Sequence, residues 1–196
     1  MSLRTLSKVT LLSFVLFGLC FAPSVFASDG KSSASRVIVV DSAALFQGSK
    51  AMDEIRKVMR DRQTKAQEEV TALQKKVQTA SQDEKKKDEA KKLIEKLEST
   101  IEFRRLQLHI AFEKAGTIIQ EKILEIVTAV KKERQANVVL QKAENAVILV
   151  DDELDVTGDV LERLNKDLPS VKVQFPSKKE VEEYKKKQNA SIAAAG

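Results

Sequence analysis

The sequence predicts an α+β chain: a small β body, closed by association with further copies, from which one long antiparallel helical hairpin projects as an arm. Three observations carry this. Apolar residues recur every seven positions over two charge-rich stretches: Met52, Met59, Ala66, Leu73 and Ala80, then Ile94, Ile101, Leu108 and Ala115. Short β-branched runs flank them, Val37 to Val40 before, Val138 to Leu140 and Val147 to Val150 after. Gly and Pro number only six and three in 196 residues, and charged residues reach 32%, which favours long helices over a turn-rich β fold.

The chain opens with Arg4 and Lys8, an apolar run from Val9 to Phe21, and Val25-Phe26-Ala27. This is the three-part pattern of a secretory signal, expected over residues 1–27 with cleavage after Ala27. An uncleaved anchor and lipidation at Cys20 are the alternatives. The run is short for a membrane span, and Leu19 is too large for the usual small residue before a lipidated cysteine. Removing the leader takes the only cysteine and lowers the formal charge from +5 to +3. Residues 28–35, SDGKSSAS, read as a solvated linker.

Arg36 to Asp41 is a β-branched run too short for a helix and reads as a buried strand. Ser42 to Gly48 reads as a short connection. Residues 49–116 are the arm. Ser49 caps the outgoing helix, and its seam is broadened by Ile55, Val70 and Val77. The helix is expected to break near Thr79 to Ser81, and Ser81 to Glu84 reads as a capping box that opens the return helix. Ile94, Ile101, Leu108 and Ala115, with Leu97, Ala111 and Ile118, form the return seam. Phe103, Leu106 and Ile110 share a second face: it either widens packing or stays open for a partner. Gly48 and Gly116 fall at one level of the hairpin, either as a hinge at the arm root or as an ordinary helix-flanking glycine and a tolerated helical one.

Residues 36–48 and 117–168 are expected to form the body, β-rich and discontinuous. Ile118, Ile119, Ile123, Ile126, Val127 and Val130 give a wider apolar face there. Two strands follow, with Ala143 to Ala146 as their turn. A short helix then starts at Val156-Thr157, with Thr157 as cap and Val160, Leu161 and Leu164 inward, ending at Pro169. Residues 169–196 form a charged extension, in which Ser177 to Glu180 caps a helix to about Gln188 and the last residues look frayed. Three short apolar strands leave open edges, and association with other copies is the simplest way to close them.

The chemistry is limited. His109 is the only histidine, so no ligand cluster can form, and no metal or cofactor is expected. There is no glycine-rich phosphate cradle. Glu68-Glu69 and Asp151-Asp152 lack a pocket or a nucleophile and read as surface charge, so the chain is not expected to be an enzyme. The arm carries 17 Lys+Arg against 13 Asp+Glu between Lys50 and Lys114. Around the tip, Lys75, Lys76, Lys85, Lys86, Lys87, Lys91 and Lys92 face four acids, a net of +3. These lysines either solubilise the hairpin or attract acidic clients or anionic lipid. Alternating charge signs and export make nucleic acid a poor partner.

The chain resembles the Skp (OmpH-like) family of periplasmic chaperones over roughly residues 36–166. The resemblance rests on Val37-Ile38-Val39-Val40-Asp41 with Leu45-Phe46-Gln47, on Ile126 to Lys131, on Val138-Val139-Leu140 through Asn145-Ala146-Val147, and on Asp155-Val156-Thr157-Gly158-Asp159-Val160-Leu161. Residues 167–196 lie beyond the usual family length. The resemblance implies a homotrimer in the periplasm, its strands meeting in a central body, with Val37, Ile38, Val39, Val40, Val138, Val139 and Leu140 at the interface. It implies a cavity between three arms that holds unfolded outer-membrane proteins without ATP. The alternatives are a membrane-tethered coiled-coil structural protein and a binder of lipopolysaccharide or anionic membrane surface.

Overall fold

A computed structural model of the chain describes residues 35–142 and 149–195. The expected leader and nearly all of the linker lie outside the described residues. So do the turn expected at Ala143 to Ala146 and the first half of the strand expected at Val147 to Val150.

The fold is α+β and mostly helical. Strand β1 (Val37–Val40) pairs in parallel with β2 (Val138–Gln141), Val37 opposite Val138 and Val40 opposite Gln141. Parallel neighbours need a crossover connection, and here the crossover is the whole arm. On the other edge of β1, the Val39 amide donates to the Leu154 carbonyl at 2.8 Å and the Val156 amide donates to the Val39 carbonyl at 2.9 Å. β1 is therefore central, and Ile38, Val39 and Val40 are buried within the subunit. The third strand expected at Val147 to Val150 is not seen in its described half: Leu149 and Val150 have no strand pairing, and the place beside β1 belongs to the bridge at Asp155.

Ser42 to Gly48, expected as a connection, is helix α1 (Ser42–Gly48). The Asp41 carboxylate accepts from the Ala44 amide at 2.8 Å, and that cap starts the turn. Leu45 is fully buried beneath it. Ser49 then caps α2 (Lys50–Ser81), accepting from the Met52 amide at 3.2 Å. The 32 residues of α2 span about 50 Å. Its helix runs through Ser81, so that serine sits inside the last turn and cannot cap. Asp83 takes the role instead, accepting from the Lys85 amide at 3.0 Å and opening a 3-10 turn over Glu84–Lys86.

The return helix α3 (Lys87–Glu133) runs 47 residues without interruption into the body, past Gly116. Its lower third brings Ile119, Ile123, Ile126 and Val130 against Leu45, Met52 and Ile55 in one core. Helix α4 (Thr157–Asp167) adds Val160 and Leu164, both fully buried, and stops two residues before Pro169. Thr157 is its first residue and not its cap; its hydroxyl accepts from the Asp41 amide at 2.9 Å. The Ser177–Glu180 box forms, with the Ser177 amide donating to Glu180 Oε2 at 2.8 Å. The helix it opens, α5 (Lys178–Ala195), runs seven residues beyond the expected end, through a stretch rich in alanine.

Candidate functional site

The polar residues of the Asp155 to Asp159 motif tie the body together. Asp155 accepts from Lys142 Nζ at 2.7 Å and from the Thr157 amide at 3.0 Å. The lysine bond first, then the Thr157 bonds, hold the Asp155 carboxyl down at about 2. Arg163 donates to both oxygens of Glu133, each at 2.8 Å, and to Asp159 at 2.9 Å. This locks the start of α4 to the end of α3, lowers the Glu133 carboxyl and raises the Arg163 guanidinium. These contacts join β1, α3 and α4 and read as structural.

The residues expected at a subunit interface divide into two groups. Val37 is half-buried, and Ile38, Val39 and Val40 are packed inside the subunit. On β2, Val138 and Leu140 are 39% and 43% exposed, and Val139 packs half-buried on the core. The outer edge of β2 pairs with no strand among the described residues. Beside it lies an apolar groove of about 730 Å³, floored by Phe46, Ile123, Val127 and Val139 and rimmed by Leu124. Leu124 itself is 68% exposed.

Along the arm, the α2 seam is where the spacing puts it: Met52, Ala66, Leu73 and Ala80 are buried. On α3 the expected seam is met in part: Ala111 and Ala115 are buried and Leu97 and Leu108 half-buried, but the packed side is rotated away from Ile94, Ile101 and Ile118. Ala90, Gln107 and Ala111 are buried, with Leu93, Leu97 and Thr100 half-buried, while Ile94 and Ile101 stay 40% and 44% exposed. Small residues at Ala66, Ala80, Ala90 and Ala111 let the two backbones approach; bulkier isoleucines would hold them apart. At 100° per residue, Ile94, Ile101, Leu108 and Phe112 fall on one side of α3. Three of them are exposed and Leu108 is half-buried, so the arm carries an apolar stripe facing neither α2 nor α5.

The seven tip lysines are all exposed. Lys87 pairs with Glu84 at 3.1 Å and Lys91 with Asp88 at 3.8 Å; Lys75, Lys76, Lys85, Lys86 and Lys92 form no ion pair with the described residues. Gly116 lies beneath α1: a Cβ there would stand 3.2 Å from Phe46 Cζ. That close approach gives Gly116 a packing reason. Gly48 ends α1, with Leu161 Cδ2 3.8 Å from the position a Cβ would take, an ordinary contact. His109 is exposed, 3.5 Å from Glu113 and edge-on to the Tyr184 ring.

Sequence reasoning gave the extension no place. The structure lays it on the arm. Val171 joins the body core. Arg62 sits 4.9 Å over the Phe175 ring, and the buried Gln107 side chain donates to the Pro176 carbonyl at 2.8 Å. α5 then crosses α3: Lys185 pairs with Glu102 at 2.7 Å, Lys114 with Glu180 at 3.7 Å, and the Tyr184 hydroxyl donates to Glu113 at 3.0 Å. That bond raises the Tyr184 phenol, and the Ser177 amide lowers the Glu180 carboxyl. On the face predicted from the second stripe, Phe103 and Leu106 are half-buried and Ile110 is buried, and Phe103 lines a gap shared with Val181 of α5. The signal that could have found this docking is the Ser177 capping box, which announced an ordered helix. Its polar contacts have no periodic signature.

A family model described as outer membrane protein (OmpH-like) matches residues 36–164. A similar solved structure is described as a candidate outer membrane chaperone (OmpH-like) from Caulobacter crescentus CB15. It matches with a TM-score of 0.58 at 15% identity, over 73% of this chain and 91% of that one. At that identity the likeness shows the fold. No curated protein matches the sequence. The matched family region ends inside α4, so α5 and its approach lie beyond it.

Proposed function

Because the chain belongs to the OmpH-like family of outer membrane proteins, we propose that it is a periplasmic holdase chaperone that keeps unfolded outer-membrane proteins from aggregating, without ATP. The leader of residues 1–27 delivers it, and three copies join through the outer edge of β2. The groove beside that edge, with Leu124, Val138 and Leu140 around it, receives the neighbouring copy. Three arms then enclose a cavity for the client.

The observation that carries this reading is the arm. It is two helices thick, about 50 Å long, and lined along α3 by the apolar stripe of Ile94, Ile101 and Phe112. A hairpin that exposes such side chains without burying a core of its own suits transient contact with apolar client segments. The lysines of the tip add long-range attraction for acidic clients. The test dilutes a urea-unfolded outer-membrane β-barrel protein into buffer with the purified protein and no nucleotide. Soluble client in a defined complex is the expected result; aggregation at the rate seen without the protein overturns it.

The unpaired tip lysines also favour a second reading, in which the arm binds anionic lipid or lipopolysaccharide and holds no client. Co-sedimentation with anionic vesicles, with and without unfolded client, separates the two. A tether held by an uncleaved leader is separated by the mass of the mature N-terminus, expected to begin at Ser28.

A further inference from the structure

Beyond the matched family region, α5 occupies the arm face on which Phe103, Leu106 and Ile110 lie. We propose that α5 is a built-in occupant of this face and that a segment of unfolded client displaces it, so that the arm's covered face is presented only when client arrives. This rests on the holdase reading above.

Three observations carry it. First, the approach to α5 is firmly seated and α5 is not. Val171 lies in the body core, Phe175 lies under Arg62, and Pro176 is held by the buried Gln107. From Ser177 onward Val181 is the only buried side chain among the described residues, and the other contacts with α3 include the edge-on His109–Tyr184 rings and partly exposed side-chain pairs at Glu102, Glu113 and Lys114. Exposed pairs hold weakly and are screened by salt. Second, the seat is incompletely filled. A gap of about 220 Å³ remains between α3 and α5, bordered by Ser99, Thr100 and Phe103 on one side and Lys178, Val181 and Lys185 on the other. Well-packed interfaces leave few such voids. Third, Val181 is the one apolar side chain among the α5 residues that line that gap opposite Phe103, the others being Lys178, Glu182 and Lys185. An aromatic or leucine side chain of a client would fill the space better than Val181 does.

The geometry makes Ser177 the pivot. Its capping box belongs to α5, with Ser177 and Glu180 bonded to each other, so the helix can lift as a unit with its cap intact. The tether through Val171 to Pro176 keeps the lifted helix at high local concentration, so it reseats when client leaves. A covered arm face is also protected from sticking to other arms in empty molecules.

Tyr184 is the only tyrosine in the chain and contacts Glu113 directly, so 3-fluorotyrosine labelling of the full chain gives a single fluorine resonance that reads the seat. The Val181→Asp variant supplies the lifted reference, and Lys185→Glu, which reverses the pair with Glu102, supplies a milder second one. Saturation of the parent with unlabelled, urea-unfolded β-barrel client should move its resonance to the lifted position. Val181→Asp should bind client more tightly, by about tenfold if the parent seat is filled in about 90% of molecules, and Lys185→Glu by a smaller factor. A parent that holds client while its resonance stays put overturns the strap and leaves the chaperone reading intact; so does equal affinity in parent and variants. If neither parent nor variants retain client, the chaperone reading fails and the strap falls with it.

Discussion

Replacing Leu140 with Asp separates folding of one copy from association between copies. Leu140 sits on the outer edge of β2 with 43% of its surface open. Burying a leucine completely contributes about 1.5–3 kcal/mol, so roughly 1 kcal/mol per copy remains to be gained when a neighbour covers it. Aspartate forfeits that and adds the cost of desolvating a carboxylate at the contact, on the order of several kcal/mol. Within the isolated subunit the same change touches mainly solvent, where substitutions move stability by about 0.5 kcal/mol. Sedimentation velocity of Leu140→Asp should therefore report a single copy where the parent reports three, while circular dichroism keeps the helical content. Val39→Asp is the contrasting variant. Val39 is 2% exposed between β2 and the Leu154–Val156 segment, so its charge lands inside the subunit and should unfold the body as well. An unchanged sedimentation coefficient for Leu140→Asp would refute the β2 edge as the contact.

Changing Lys85, Lys86 and Lys87 to Gln should slow client capture near 0.1 M salt and matter little near 1 M, since the screening length falls from about 10 Å to about 3 Å; capture by the parent that ignores salt counts against a role for the tip. Asp155, held at about 2 against an ordinary 3.8, contributes stability that is full above about pH 4 and is lost as pH falls through 2, up to roughly 2 kcal/mol. Urea titrations of parent and Asp155→Asn should show their difference shrinking across that window, and a constant difference rules out the Lys142 and Thr157 bonds as its source. Gly116→Ala gains about 1 kcal/mol of helix propensity but sets a Cβ 3.2 Å from the Phe46 ring, which must shift by a few tenths of an ångström. The expected result is a melting temperature near the parent's and an equally broad spread of spin-label distances between arm tips; a narrowed spread would make Gly116 the hinge.

The fold was readable where burial and spacing agree. The α2 seam has one seven-residue set that is apolar throughout, Met52 to Ala80, and packing follows it. On α3 two sets compete. Ile94, Ile101, Leu108 and Ala115 are the more apolar; Ala90, Leu97, Arg104 and Ala111 allow the closer approach and supply Arg104 for an ion pair with Glu69 at 2.7 Å. A hydrophobic count chooses the first set; packing takes the second toward the tip, with Leu97 and Ala111 common to the expected seam, and keeps Ala115 of the first at the root. Gln107 shows the same limit: a polar residue is buried because Pro176, 69 residues away in sequence, offers it a carbonyl. The expected capping box at Ser81 failed for a local reason, since Ser81 is the last residue of α2 and the next helical turn is capped by Asp83, two residues on. Among the proposed contact residues, the tip lysines and Phe103 were nameable from sequence. The helix lying across Phe103 was not, because single ion pairs leave no pattern to read.

The distribution of side-chain volume along the hairpin has a mechanical consequence. At the root, Met52 and Ile55 meet Ile119, Ile123 and Ile126, all buried in one core with α1 and α4. Outward, the buried seam thins to Ala66, Leu73, Ala80, Ala90 and Ala111. An alanine removes little apolar surface from water, so each turn toward the tip is held by less burial, while its backbone hydrogen bonds stay solvent-exposed. Local opening should therefore become easier with distance from the body, a gradient that hydrogen exchange reads directly. The crossing of α5 falls at residues 99–114 of α3, between the firm root and the weak tip. Seated, it adds a third helix where the pair begins to soften; lifted, it leaves the outer arm as two helices joined by a narrow seam of alanines, Leu73 and the half-buried Val70, Val77, Leu93 and Leu97. Coverage of the apolar face and stiffness of the arm are thus set by the same contact, so displacement of α5 by client would expose binding surface and loosen the arm around it in one step.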